Sequence, residues 1–209
     1  MKALPVFILC FVCIALLPAA AQVPAKENPL SASQDYSKEA FVIEKLETRI
    51  DVADDGTNTR ESEVEVKILA DAGVKAFAVL SFTYTSANEV VDVEYVRVRK
   101  PDGTVVNTPD YNIQDMPPDV TRTAPMYSDI HEKHVAVKGL AVGDVLEQRI
   151  RYRVLKPEVP GHFWYVDSFS PDAIIKNERL EISLPAGKYV KVVSPEFKPE
   201  IRNEGARRT

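Results

Sequence analysis

The 209 residues carry a formal net charge of -5 and are 45% hydrophobic, enough apolar material for one globular domain with its own core. The 15 prolines argue against a protein of long helices, because proline inside a helix costs roughly 3 kcal/mol, and they suit strand ends and turns. The acidic balance lacks the excess of Lys and Arg that neutralises phosphates, so nucleic-acid binding is set aside.

Residues 1–21 read as a cleavable signal peptide. Lys2 supplies the positive start, Ala3 to Leu17 the apolar run, and Ala19-Ala20-Ala21 the small-residue cleavage site, with Gln22 as first mature residue. The run is shorter than the roughly 20 residues of a spanning helix, so no membrane span is expected after cleavage. The mature chain is expected to be soluble and exported, periplasmic or extracellular. Cys10 and Cys13 leave with the signal, so the mature chain has no disulfide and no thiol nucleophile. Loss of Lys2 moves the net charge from -5 to -6.

Residues 22–37, with Pro24, Pro29, Ser31 and Ser33, read as a flexible leader. A β-domain is expected over 38–194. Phe41 to Val52 predicts a strand, Ala53-Asp54-Asp55-Gly56 a turn, and Val64, Val66 and Ile68 alternating with Glu61, Glu63, Glu65 and Lys67 a half-buried return strand. Asp71 to Thr85 leaves open whether a helical turn precedes a strand. Val90 to Arg99, apolar on both parities in part, predicts a central strand covered on both faces, turned at Pro101-Asp102-Gly103 into Thr104 to Val106.

Asn107 to Ser128 is the longest stretch without a regular pattern and reads as a connection crossing one end of a sandwich. His134 to Val154 reads as strand, turn and strand: Gly139, Gly143 and Asp144 make the bend. Beyond it Leu146, Ile150, Tyr152 and Val154 alternate with Glu147, Arg149, Arg151 and Arg153. His162-Phe163-Trp164-Tyr165-Val166 predicts a core strand, the sharper alternative being an exposed aromatic patch through Trp164 and Tyr165. Leu180, Ile182 and Leu184 alternate in a late strand, and Pro185 to Lys188 turns it into a second strand over Tyr189 to Val193. The polar residues 195–209 read as a tail or the start of further β-structure.

Chemistry-bearing patterns are sparse. His131 and His134, three apart in a strand, point to opposite faces and do not share a metal there. The sequence holds no helical zinc motif, nucleophile elbow or phosphate-binding loop, so no metal, cofactor or catalytic residue is expected. Arg149, Arg151 and Arg153 form either a basic strip for an acidic partner or a solvent face paired with acids such as Glu132 or the Glu61 to Glu65 row.

Glu132-Lys133-His134-Val135-Ala136-Val137-Lys138-Gly139-Leu140 and Val142-Gly143-Asp144-Val145-Leu146-Glu147, with Asp71-Ala72-Gly73-Val74 and the hairpin from Arg97 to Val106, occur in an order that resembles a bacterial domain-of-unknown-function family. That family is found N-terminal to transglutaminase-like domains in exported proteins, and the resemblance covers roughly Lys38 to Val193. It implies an all-β domain, an antiparallel β-sandwich of immunoglobulin-like or related type, without an established activity of its own. The accompanying enzyme domain would use Cys, His and Asp, and the mature chain has no Cys to match. The expected function is therefore a non-catalytic accessory or interaction module for a protein or cell-envelope partner. The alternatives are the N-terminal fragment of a transglutaminase-like or papain-like enzyme whose active site lies beyond residue 209, and a carbohydrate-binding module.

Overall fold

The structure, a computed structural model, describes residues 35–119, 121, 129–167, 173–195 and 198–209. The expected signal peptide and nearly all of the leader lie outside the described residues. The elements in order are β1 (Phe41–Val52), β2 (Asn58–Ile68), α1 (Asp71–Phe77), β3 (Val79–Thr85), β4 (Glu89–Arg99) and β5 (Val105–Asn107). A single 3-10 turn (Asp110–Asn112) precedes β6 (Ile113–Met116), and then come β7 (Ile130–Ala136), β8 (Val145–Val154), β9 (Glu178–Pro185), β10 (Asn203–Glu204) and β11 (Arg207–Arg208).

Eight strands form one sheet in the order β10-β11-β9-β1-β2-β8-β4-β5, and three form a second in the order β3-β7-β6. The expectation of a purely antiparallel sandwich is corrected at one seam, where β9 runs parallel to β1 and pairs Leu46 with Glu178 through Asp51 with Ser183. The segment between β8 and β9 returns the chain to the free edge of β1, which makes the large sheet mixed. The β1–β2 hairpin forms as expected, its turn held by the Thr57 N–H and hydroxyl on Asp55 Oδ1 at 2.9 and 2.7 Å. Asp71 to Thr85 resolves into α1 followed by β3.

The stretch from His134 to Val154 is not a hairpin. β7 pairs with β3 and β6, whereas β8 lies between β2 and β4, so residues 137–144 cross from one sheet to the other. β4 is likewise not covered by core on both faces. Its register shifts between Val93 and Tyr95, an extra residue that restores parity, so Val91, Val93, Val96 and Val98 share one face and Asp92, Tyr95, Arg97 and Arg99 the other. A second bulge between Ile43 and Lys45 does the same in β1.

The inner face is apolar. Val66, Ile68, Val96, Val98 and Leu146 of the large sheet meet Leu80 and Val135 of the small one in a shared buried core, bordered by Phe41 and Phe77, whose rings pack edge to face at 4.8 Å. A second cluster buries Ile50, Val52 and Leu184 under Phe163 and Tyr165. Three further expectations are corrected. Asn107 to Ser128 contains β6, a short strand whose partner β7 supplies its ladder. His162 to Val166 forms no strand and pairs in neither sheet. Tyr189 to Val193 forms no strand, because the edge of β9 is taken by β11, through Arg207 on Pro185 and Arg208 on Leu184.

Candidate functional site

The loop residues singled out from the sequence cluster where the two sheets are joined. Gly139 and Gly143 have φ of +73° and +90°, the left-handed region that favours glycine, and they bend the crossover between β7 and β8. Asp144 is buried at 2% exposure. Its Oδ2 accepts the Ala141 N–H at 2.7 Å and the Lys100 ammonium at 2.7 Å, and Lys100 Nζ also donates to the Gly139 carbonyl at 2.6 Å. The Gly143 N–H donates to the Ile68 carbonyl, the Ile68 N–H to the Asp144 carbonyl, and Lys67 Nζ to the Gly143 carbonyl. The cluster is thus a brace between β2, the β4–β5 turn and the crossover. Lys100 was not singled out, although it directly precedes Pro101-Asp102-Gly103.

The outer face of the large sheet carries the arginine row. Arg149 pairs with Glu63 and, at 3.9 Å, with Glu94; Arg151 pairs with Glu61 and Glu94; Arg153 pairs with Asp92 at 2.9 Å. Glu147 is clasped by Arg97 at 2.7 Å and Arg99 at 2.5 Å. Burial pushes the Glu147 carboxyl up, but the hydrogen bonds from Arg99 and Arg97 outweigh it and hold the group below the ordinary carboxylate value. Hydrogen bonds from Arg149 and then Lys45 hold Glu63 down in the same way. Each guanidinium of the row thus faces carboxylates on adjacent strands, and half-exposed pairs of this kind contribute about 0–1 kcal/mol each.

His131 and His134 fall on opposite faces of the small sheet. His131 Nδ1 lies 3.2 Å from Asp115, which also accepts the Tyr84 hydroxyl at 2.7 Å; burial and that carboxylate push the Tyr84 phenol up to about 12. His134 Nε2 lies 2.9 Å from Glu132. Among the described residues no three His, Cys, Asp or Glu side chains converge as metal donors.

Trp164 and Tyr165 part company. Tyr165 packs on the second cluster, near the Arg60 guanidinium, and burial pushes its phenol up. Trp164 is 54% exposed and lines a cleft of about 150 Å³ at the end of the large sheet. Gly56 of the β1–β2 turn, Asn58 at the start of β2, Asn88 of the β3–β4 turn, Glu89 at the start of β4, and Lys156 to Glu158 with His162 to Trp164 form its walls. None of Arg149, Arg151 and Arg153 lines this cleft.

Residues 54–209 match the family described as "Domain of Unknown Function with solved-structure structure (DUF3857)". The chain belongs to this family. No curated protein matches it. Among solved structures, a protein from Parabacteroides distasonis ATCC 8503, described as a "putative protease", superposes with a TM-score of 0.71 at 19% identity over 81% of this chain. At that identity the likeness shows the fold alone. The DUF3857 chain spans 34% of that protein's length. An M1 zinc metallopeptidase from Deinococcus radiodurans aligns over 81% of this chain and 38% of its own, at 8% identity and a TM-score of 0.38, too low to carry an argument.

Proposed function

We propose that this chain is a non-catalytic accessory domain of an exported bacterial protein, positioning a substrate or envelope partner for a transglutaminase-like thiol enzyme domain. The observation that carries this reading is the likeness to the Parabacteroides protein: 81% of this chain superposes on 34% of a much longer polypeptide, as expected of a domain that works beside others. Two features of the sequence support it. The signal-like composition of residues 1–21 fits export, and no cysteine follows Cys13, so a thiol nucleophile must come from outside residues 22–209. Among the described residues no helix is long and apolar enough to cross a membrane.

The test has two arms. The purified chain is assayed for amine incorporation into a glutamine peptide and for peptide cleavage, and no turnover is expected. The genomic reading frame is then followed past the codon for Thr209, where a domain with Cys, His and Asp is expected. Deleting residues 36–209 from the longer product should lower its turnover. Reproducible turnover by the chain alone would overturn the reading.

A further inference from the structure

We propose that the cleft beside Trp164 binds one pyranose residue of a glycan, stacked on the indole and held by the polar groups of Asn58, Asn88 and Glu89. The cleft is built where the start of β2, the start of β4 and the end of β8 come together, since Asn58 and Glu89 both pair with Val154. Its walls are fixed before any ligand arrives. The Leu155 and Lys156 N–H groups both donate to the Asn88 carbonyl, at 2.9 and 3.3 Å, and the Thr85 N–H donates to Glu89 Oε2 at 3.0 Å. The Gly161 N–H donates to the Asp55 carbonyl at 2.7 Å. A Cβ on Gly56 would lie 2.5 Å from the His162 carbonyl oxygen, so glycine is what lets the β1–β2 turn seat against the aromatic segment.

Trp164 lies between two residues that pack on the second core cluster, Phe163 and Tyr165. The anchored neighbours hold the segment, while Trp164 itself is 54% exposed and lines the cleft. A half-exposed tryptophan lining a cleft beside amide and carboxylate groups matches a ring that is apolar on its C–H face and hydroxylated at its rim. Size points the same way: a cavity on the order of 150 Å³ takes a single six-membered ring. Glu89 and Glu158 beside Lys156 mix both signs of charge around the cleft, unlike the concentrated positive charge that a phosphate requires. An extended peptide needs a groove or sheet edge several residues long, more than a cleft of about 150 Å³ offers. The inference goes beyond the accessory role and stands without it, because binding is read on the chain alone.

Trp164 is the only tryptophan in the chain, so its fluorescence reports on this cleft without interference. The purified chain is titrated with methyl glucoside, methyl mannoside, methyl galactoside and N-acetylglucosamine, with glycerol and a Gly-Ser-Gly tripeptide as controls. At least one pyranose should give a saturable change with a dissociation constant of roughly millimolar order, typical of a small polar ligand. By calorimetry, Trp164→Ala should weaken that binding by about tenfold or more. Asn88→Ala retains the fluorophore and should show a smaller loss by fluorescence, with circular dichroism confirming both folds. Absence of saturation with every pyranose, an equal response to the tripeptide or glycerol, or unchanged binding in a folded Trp164→Ala or Asn88→Ala protein would overturn the proposal.

Discussion

Lys100 and Asp144 lie 44 residues apart in sequence and are joined by a 2.7 Å charge-assisted hydrogen bond, with the carboxylate side chain 2% exposed and the lysine 26%. Removing the cation leaves a carboxylate in a place where water does not reach it. Lys100→Met should therefore cost about 2–4 kcal/mol in urea unfolding, more than a surface pair is worth. Adding Asp144→Asn removes the stranded charge while keeping an oxygen for the Ala141 N–H, so the double variant should be more stable than Lys100→Met alone. A double variant that loses the sum of the two single effects would show that the residues are not coupled.

Gly73 is held by space rather than by a positive φ. A Cβ there would lie 2.3 Å from the Ala40 carbonyl oxygen, which accepts the Leu69 and Ala70 N–H groups as β2 leads into α1. Alanine normally favours a helix by about 1 kcal/mol over glycine. Here Gly73→Ala should instead destabilise by about 2 kcal/mol or more, since a backbone atom must move. A higher urea midpoint in the variant would show that the Ala40 segment yields freely.

Much of this fold is legible in period-two patterns, and the corrections lie where period is silent. Val66 and Ile68 go inside, with Glu61, Glu63 and Glu65 outside, as their alternation requires. β4 misleads because its bulge places valines of both parities on one face, and a bulge leaves no mark in composition. His134 to Val154 looks like a hairpin because both arms are strands, but a strand's own residues do not name its partner. Tyr189 to Val193 has the composition of a strand and lacks a partner. At the candidate site, Gly139 and Gly143 take positive φ and Asp144 accepts the Ala141 N–H, conformations that glycine and aspartate favour. The exposure of Trp164 is not legible in the sequence, since it depends on Phe163 and Tyr165 taking the buried positions.

Glu147 and Glu63 set an acid limit to stability. Both carboxyls are held below the ordinary value of 4.5 by their arginine and lysine partners, so their ionised forms stabilise the fold above that pH. The contribution is lost as pH falls below about 4.5 and through the lowered folded values. Unfolding free energy should stay level from about pH 7 to 5 with respect to these groups and then decline. Glu147→Gln should be less stable than the parent at neutral pH, with the difference shrinking as the pH approaches 3. A difference that is constant across this range would mean that the ionised carboxylate is not what Arg97 and Arg99 stabilise.

Glu94 is the extra residue of the β4 bulge, lying between the Val93–Ile150 and Tyr95–Arg149 pairs. Deleting it leaves both flanking registers in phase, because Val93 and Tyr95 then follow the ordinary alternation against β8. Valines 91, 93, 96 and 98 keep the core face, so the deletion variant should fold. What it loses is the local bend and the pairs that Glu94 makes with Arg149 and Arg151, worth about 1 kcal/mol together at half-exposed positions. Deleting Val93 instead removes a core-facing side chain and moves the acidic Glu94 into its place opposite Ile150. That variant should lose about 3 kcal/mol or more, through a lost apolar contact and a carboxylate turned toward the core. Urea denaturation of the two deletions decides between readings: a folded Glu94 deletion beside a badly destabilised Val93 deletion fits a bulge that serves parity. Equal losses would mean that the bend itself is required, as the curvature that lets the large sheet close over the small one.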